Sequence, residues 1–400
     1  VTEAFLILVL ATVAAGDLPP FRFNRATLAL VGAILVLVFG ILTPQTAYAA
    51  IDWNTLALLF AMMVFTTHLR LAGFFDLAGQ ALARSSRSPG LFLLILLVAS
   101  AVLSAFFIND TVVLLLTPLV IRVTLAGGLN PLPFLMGLAV SANIGSMTTP
   151  IGNPQNILIA TTSGLGFAGF SVLVVPALAL LGVAWLLIVL VYRKSWHGQV
   201  AALRPRPPRI HRALLVKCAL ALAVMIAGFI LGWSLALAAL AGAAVLLFTR
   251  RVKPGKVLAH IDGALLLLFA SLFIITRAIE STGGFQTLLT WAKPLLSQNL
   301  GLFSAVSAVL SNLISNVPAV MVLKPLIPGL DDPNRAWTAL AAASTLAGNL
   351  TLFGSVANLI VAESARAQGI RLGFLEYLKV GLPLAVFSVA VTALWLILVP

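Results

Sequence analysis

The chain has 400 residues, 61% of them hydrophobic and only 9% charged, with Lys+Arg 24 against Asp+Glu 11 and a formal net charge of +13. Soluble globular domains are about half apolar and roughly a quarter charged, so an ordinary water-soluble fold is excluded and a bilayer is the solvent that tolerates this surface. The sole cysteine, Cys218, excludes a disulfide framework within the chain.

Apolar runs recur from end to end, which predicts an all-α polytopic membrane protein. Taken in order, they place spans at 4–16, 26–42, 52–72, 131–163, 168–192, 212–230, 232–249, 263–282, 335–366 and 375–399. The first has no basic segment before it and reads as a span rather than a signal peptide. Two stretches, 91–125 and 297–327, read as helix pairs turning at a polar tip. Arg-Pro-Arg-Pro-Pro at 204–208 is neither helix nor membrane. It divides the chain into a first transmembrane unit (1–192), a basic linker (193–211) and a second transmembrane unit (212–400).

The basic residues lie between apolar runs, as the positive-inside rule expects of cytoplasmic loops, and this topological role argues against nucleic-acid binding. With the linker cytoplasmic, counting spans puts Arg22, Arg25, Arg70, Arg84, Arg87, Arg122, Arg250, Arg251, Lys253, Lys256, Arg366, Arg371 and Lys379 on the linker side. Arg277, Lys293, Lys324 and Arg335 fall on the other. The expected home is the inner (plasma) membrane, crossed many times. Each half has five full crossings, an odd number, so the second half is expected upside down relative to the first.

The halves also match in sequence. Ile51-Asp52 with Leu58-Leu59-Phe60-Ala61 recurs as Ile261-Asp262 with Leu267-Leu268-Phe269-Ala270. Ser104, Asn109, Leu116, Pro118 and Leu119 recur as Ser311, Asn316, Leu323, Pro325 and Leu326 at one constant offset. Gly145, Thr148, Gly152 and Asn156 recur as Gly348, Thr351, Gly354 and Asn358, with a one-residue gap after the threonine. Duplication with odd crossings predicts two inverted-topology repeats, each with five spans, a re-entrant helical hairpin and one broken helix; that arrangement serves alternating access to a central site.

Polar groups inside apolar spans are costly, so their clustering points to function. Asn109-Asp110-Thr111 and Ser315-Asn316 mark the hairpin tips. Thr148, Thr149, Asn153 and Asn156, with Thr351 and Asn358, lie among the Gly and Pro residues that break the long helices. Broken helices expose carbonyls that replace water around a cation and amide ends that attract an anion. The candidate substrate-binding residues are therefore Asn109, Thr111, Thr148, Thr149, Asn153, Asn156, Ser315, Asn316, Thr351 and Asn358. The ion-coupling candidates are Asp110, Asn109, Gly145, Gly152, Asn316, Gly348 and Gly354. Asp110 is the one carboxylate expected near mid-depth, at a cost of roughly 2.5–3.5 kcal/mol. The plainer readings are helix-to-helix hydrogen bonding, worth about 0.6 kcal/mol each, and a helix cap for Asp110.

At these residues the chain resembles the ion-transporter superfamily of arsenite permeases, sodium–proton antiporters and divalent-anion:sodium symporters, including citrate-transporter-like permeases. Asn109-Asp110 with Leu115-Leu116-Thr117-Pro118 resembles the arsenite-permease segment. Ala142-Asn143-Ile144-Gly145 with Thr149-Pro150-Ile151-Gly152-Asn153-Pro154-Gln155-Asn156 is similar to the anion-permease branch. The resemblance implies two re-entrant hairpins and two broken helices around a central substrate site, with ion sites at the tips. The dicarboxylate symporters carry Ser-Asn-Thr at each tip, whereas these tips read Asn109-Asp110-Thr111 and Ser315-Asn316-Val317, which leaves proton coupling through Asp110 open.

The expected function is secondary active transport of a small anion (an inorganic oxyanion, an arsenite-like species or a carboxylate) coupled to H+ or Na+. Cation–proton antiport on the same fold is the alternative, and a channel or membrane-embedded enzyme the different-class one. No His-Glu-x-x-His, paired intramembrane Asp or Gly-x-Ser-x-Gly motif supports an enzyme, and no nucleotide-binding loop supports a built-in ATP motor. No cofactor and no metal set is expected. The bilayer and the anion are the expected partners, with a homodimer and a separate soluble ATPase left open.

Overall fold

The computed structural model describes residues 24–85, 88–196, 200, 210–248, 252–282, 294, 296–297 and 299–399. The expected span at 4–16 and most of the linker lie outside them. Among the described residues the structure is helical, with no strand. Among the described residues, seven helical stretches are long and apolar enough to cross a membrane: Trp53–Leu71, Pro89–Phe106, Asn109–Ala126, Phe167–Val191, Arg212–Ile230, Gly263–Ser281 and Phe374–Leu398.

Helix α1 (Arg25–Val38) is capped by Asn24, which accepts from the Thr27 amide at 2.9 Å. It is followed by a short α2 (Pro44–Ala50) and by α3 (Trp53–Leu71). Asp52 caps α3 by accepting from the amides of Asn54 and Thr55, at 3.0 and 3.2 Å. Its repeat equivalent Asp262 caps α14 (Gly263–Ser281) by accepting from Leu265 N at 2.9 Å. The Ile-Asp pairs matched in the sequence thus mark equivalent helix starts, where a carboxylate meets unpaired amides. Helix α4 (Phe74–Arg84), apolar on one side only, occupies a stretch between expected spans.

The two helix pairs are α5 (Pro89–Phe106) with α6 (Asn109–Ala126), and α15 (Leu300–Ile314) with α16 (Asn316–Leu323). The expected span at 131–163 is α7 (Leu132–Ser146) and α8 (Pro154–Ser163), interrupted by seven non-helical residues; its counterpart is α17 (Pro333–Leu346) and α18 (Val356–Arg366). A short α9 (Phe167–Ser171) leads into α10 (Val174–Val191). The second half opens with α11 (Arg212–Ile230), α12 (Leu235–Leu247) and α13 (Pro254–Leu258), and ends with α19 (Phe374–Leu398).

The halves interleave. Helix α1 packs along α14 and α12 packs along α3, so the corresponding helices of each half cross over to the other. The same exchange recurs at the centre, where α6 packs on α18 and α16 on α8. Each hairpin's second arm therefore lies on the broken helix of the opposite half. This exchange brings two polar tips and two helix breaks to one place.

Candidate functional site

At the first tip, the turn at Phe107 and Ile108 hands the chain to α6, whose first residue, Asn109, is fully engaged. Its backbone amide donates to Gly152 O at 3.1 Å, its side-chain oxygen accepts from Asp110 N at 3.0 Å, and its Nδ2 donates to Asn143 Oδ1 at 3.0 Å. The second tip is a single residue, Ser315, between α15 and α16. With φ 77° and ψ 156° it occupies a region used almost only by glycine, which costs on the order of 1–3 kcal/mol. The Arg25 guanidinium, from the start of α1, donates to Ser315 Oγ at 3.3 Å.

The breaks are splinted by paired asparagines. Asn156 Nδ2 donates to the carbonyls of Ser146 and Thr149, both at 3.0 Å. Asn358 Nδ2 donates to those of Gly348 and Thr351, at 2.7 and 3.2 Å. These bonds satisfy carbonyls that an uninterrupted helix would have paired, which in a bilayer no water can do. They also set the register: Ser146, not Gly145, is the counterpart of Gly348, and the gap introduced by matching glycines disappears. Thr149 Oγ1 donates to the carbonyl of Ala105, while Thr351 Oγ1 lies 3.4 Å from Asn312 Oδ1, so each break is tied to its own hairpin.

Asn143 joins the halves. Its Nδ2 donates to Asn349 Oδ1 at 2.8 Å and Asn358 Oδ1 at 3.2 Å, and its Oδ1 accepts from Asn109 Nδ2 and from Ser355 Oγ at 3.1 Å. On the other side, Asn153 caps α8 through Asn156 N, at 2.8 Å, and donates to Thr345 Oγ1 at 3.1 Å, as does Gln155 at 3.2 Å. Four buried oxygens near this network have no hydrogen-bond partner among the described residues: Ser104 Oγ, Ser311 Oγ, Asn156 Oδ1 and Asn316 Oδ1.

A cavity of about 100 Å³ lies where these parts meet. Asn109 and Asp110 line it from the first tip, Ser315 and Asn316 from the second, Pro154 and Gln155 from the first break, and Gly354 and Ser355 from the second. Leu265 and Leu268 of α14 form an apolar wall, and Arg25 stands beside them. Among the described residues, Asp110 and Arg25 are the charged ones of the lining. Among the described residues the Asp110 carboxylate is in no ion pair.

Of the residues singled out in the sequence, Asn109, Asp110, Ser315, Asn316 and Gly354 line the cavity. Thr148, Thr149, Asn153, Asn156, Thr351 and Asn358 are not in the lining but are bonded to backbone carbonyls or to the side chains of Thr345 and Asn312, and Thr111 is not in the lining either. Gly145, Gly152 and Gly348 serve close packing. A Cβ on Gly145 would meet the Ala101 carbonyl oxygen at 2.1 Å, one on Gly152 the Ser146 oxygen at 2.3 Å, and one on Gly348 the Ser355 Cβ at 3.1 Å. Sequence reasoning did not select Arg25, Gln155 or Ser355. Gln155 belongs to the Gly152-Asn153-Pro154-Gln155-Asn156 run and had a signal there; Arg25 had none, since it stands in a basic group at the edge of an apolar run.

The sequence profile of the citrate transporter family matches residues 6–346. An uncharacterized transporter of Mycobacterium tuberculosis is 31% identical to the chain, covering 94% of both proteins. The silicon efflux transporter LSI3 of Oryza sativa subsp. japonica is 30% identical, over 92% of this chain and 91% of that protein. Among solved structures, the YdaH transporter of Alcanivorax borkumensis, described as having an unusual topology, superposes with a TM-score of 0.62 over 99% of this chain and 96% of that one. At 16% identity this likeness concerns the fold. With an all-helical architecture, membrane-length spans and a family match across most of its length, the chain is a multi-pass membrane transporter belonging to the citrate transporter family.

Proposed function

We propose that the protein is a secondary active transporter that moves a small anion, carboxylate or inorganic, by alternating access and couples its movement to H+ or Na+. The observation that carries this reading is the convergence of both hairpin tips and both helix breaks on one small cavity. Hydrogen-bonding groups at broken helices suit an anion, and the unpartnered buried oxygens, with the Asp110 carboxylate, are suited to a coupling cation or proton. On this reading the halves are inverted repeats, the hairpins re-enter from opposite faces, and the basic linker faces the cytoplasm at the inner membrane. Movement of hairpins and broken helices against α1, α3, α12 and α14 opens the cavity to each side in turn.

The test uses the purified protein in liposomes, with citrate, succinate, phosphate, sulfate and arsenite offered under an imposed Na+ or proton gradient. Asp110→Asn and Asn316→Ala abolish gradient-driven uptake while the protein still elutes as a folded species. Unchanged flux in both variants would remove the site from consideration.

Cation–proton antiport is the second reading, favoured by one observation: the cavity holds a carboxylate with no ion-pair partner among the described residues. A pH-sensitive dye inside the liposomes separates the two. Proton release on adding Na+ or Li+ without any anion supports antiport, and its absence supports anion transport.

A further inference from the structure

We propose that Arg25 recognises the negative charge of the transported anion, and that its hydrogen bond to Ser315 is the contact the anion replaces. The inference rests on reading the cavity as an anion site, and it narrows the substrate class to species carrying negative charge on two or more oxygens, rather than neutral hydroxides.

Among the described residues, Arg25 is the one cation in the lining. It is the first residue of α1, and its guanidinium reaches the second hairpin tip, donating to Ser315 Oγ at 3.3 Å. A hydroxyl is a neutral acceptor. A carboxylate or oxyanion presents two charged oxygens to the planar fork and forms bonds roughly twice as strong, strengthened again where apolar side chains such as Leu265 and Leu268 exclude water. Arg25 belongs to α1, which packs on α14, while Ser315 belongs to a hairpin packed on α8 through α16. The bond thus crosses between the wall and the tip, and an anion inserted there bridges the two. Its charge, next to Asp110 in the same cavity, favours uptake of a neutralising proton or Na+ with it.

Citrate and phosphate uptake into liposomes is measured with wild type, Arg25→Gln, Arg25→Lys and Ser315→Ala. Both Arg25→Gln and Ser315→Ala remove the Arg25–Ser315 bond, so a role confined to that bond moves them together. The expected result is that Arg25→Gln raises the KM for anion more than about threefold, Arg25→Lys falls between it and wild type, and Ser315→Ala lowers KM by removing the competing hydroxyl. Arg25→Gln within about threefold of wild type, or Ser315→Ala raising KM alongside it, overturns the inference while leaving anion transport standing. If Arg25→Gln does not fold, Arg25→Lys is read instead, since it retains the charge without the fork: a KM equal to wild type, or Ser315→Ala raising KM, overturns the inference. A wild type that takes up neither anion overturns both this inference and the reading beneath it.

Discussion

Asn143 is buried, and its amide satisfies two donors and two acceptors from the hairpin and the opposite break. Replacing it with Ala strands Asn109, Asn349 and Ser355 without water to take its place, so Asn143→Ala is expected to cost about 3 kcal/mol, read as a lowered unfolding temperature in detergent. Ser315 has the opposite sign. Its φ of 77° suits glycine, so Ser315→Gly relieves strain and is expected to stabilise by about 1 kcal/mol, the gain reduced by the greater freedom of glycine in the unfolded chain. A lowered unfolding temperature in Ser315→Gly would show that the tip is not strained. Legibility at this scale was uneven. Asn109 and Asn316 could be found because a polar pair recurs at one offset in apolar surroundings. The separation of cavity-lining residues from the others could not, because the side chains of Thr148, Asn156 and Asn358 are turned to backbone carbonyls that only the folded chain brings within reach.

The contact between α5 and α7 depends on glycine at 145, where a Cβ would fall 2.1 Å from a backbone oxygen that cannot swing away. Gly145→Ala is expected to force the two helices apart and prevent stable folding, whereas Gly90→Ala, with nothing within 4 Å, retains a wild-type melting profile; equal profiles for the two would refute the packing role. The helix breaks were legible because Pro150, Gly152 and Pro154 interrupt a membrane-length run, and the tips because Asn109 and Ser315-Asn316 stand in apolar surroundings. The register between the breaks was not, since glycine identity misled by one position and only the Asn156 and Asn358 hydrogen bonds fix it. Helix α4 went unseen because its apolar side is too short to read as a span.

Across the molecule, the sequence duplication is matched by equivalent caps, splints and crossed helix pairs. The proposed inversion makes a further prediction. On a Cys218→Ala background, cysteines introduced at Ala126 and Asp331, which end equivalent hairpins, are expected to react with a membrane-impermeant thiol reagent from opposite faces; labelling from one face refutes inversion. Arg25 shows what a one-dimensional pattern omits, since its neighbour Ser315 lies 290 positions away and is joined to it only by the fold. The crossing of α1 onto α14 and α12 onto α3 carries a last consequence. Neither half owns a complete set of neighbours, so a fragment made alone leaves asparagine-rich surfaces facing lipid and is a substrate for quality-control proteolysis. Two fragments cut at the proline-rich linker and made in one cell should instead rescue each other, since each supplies the neighbours the other lacks.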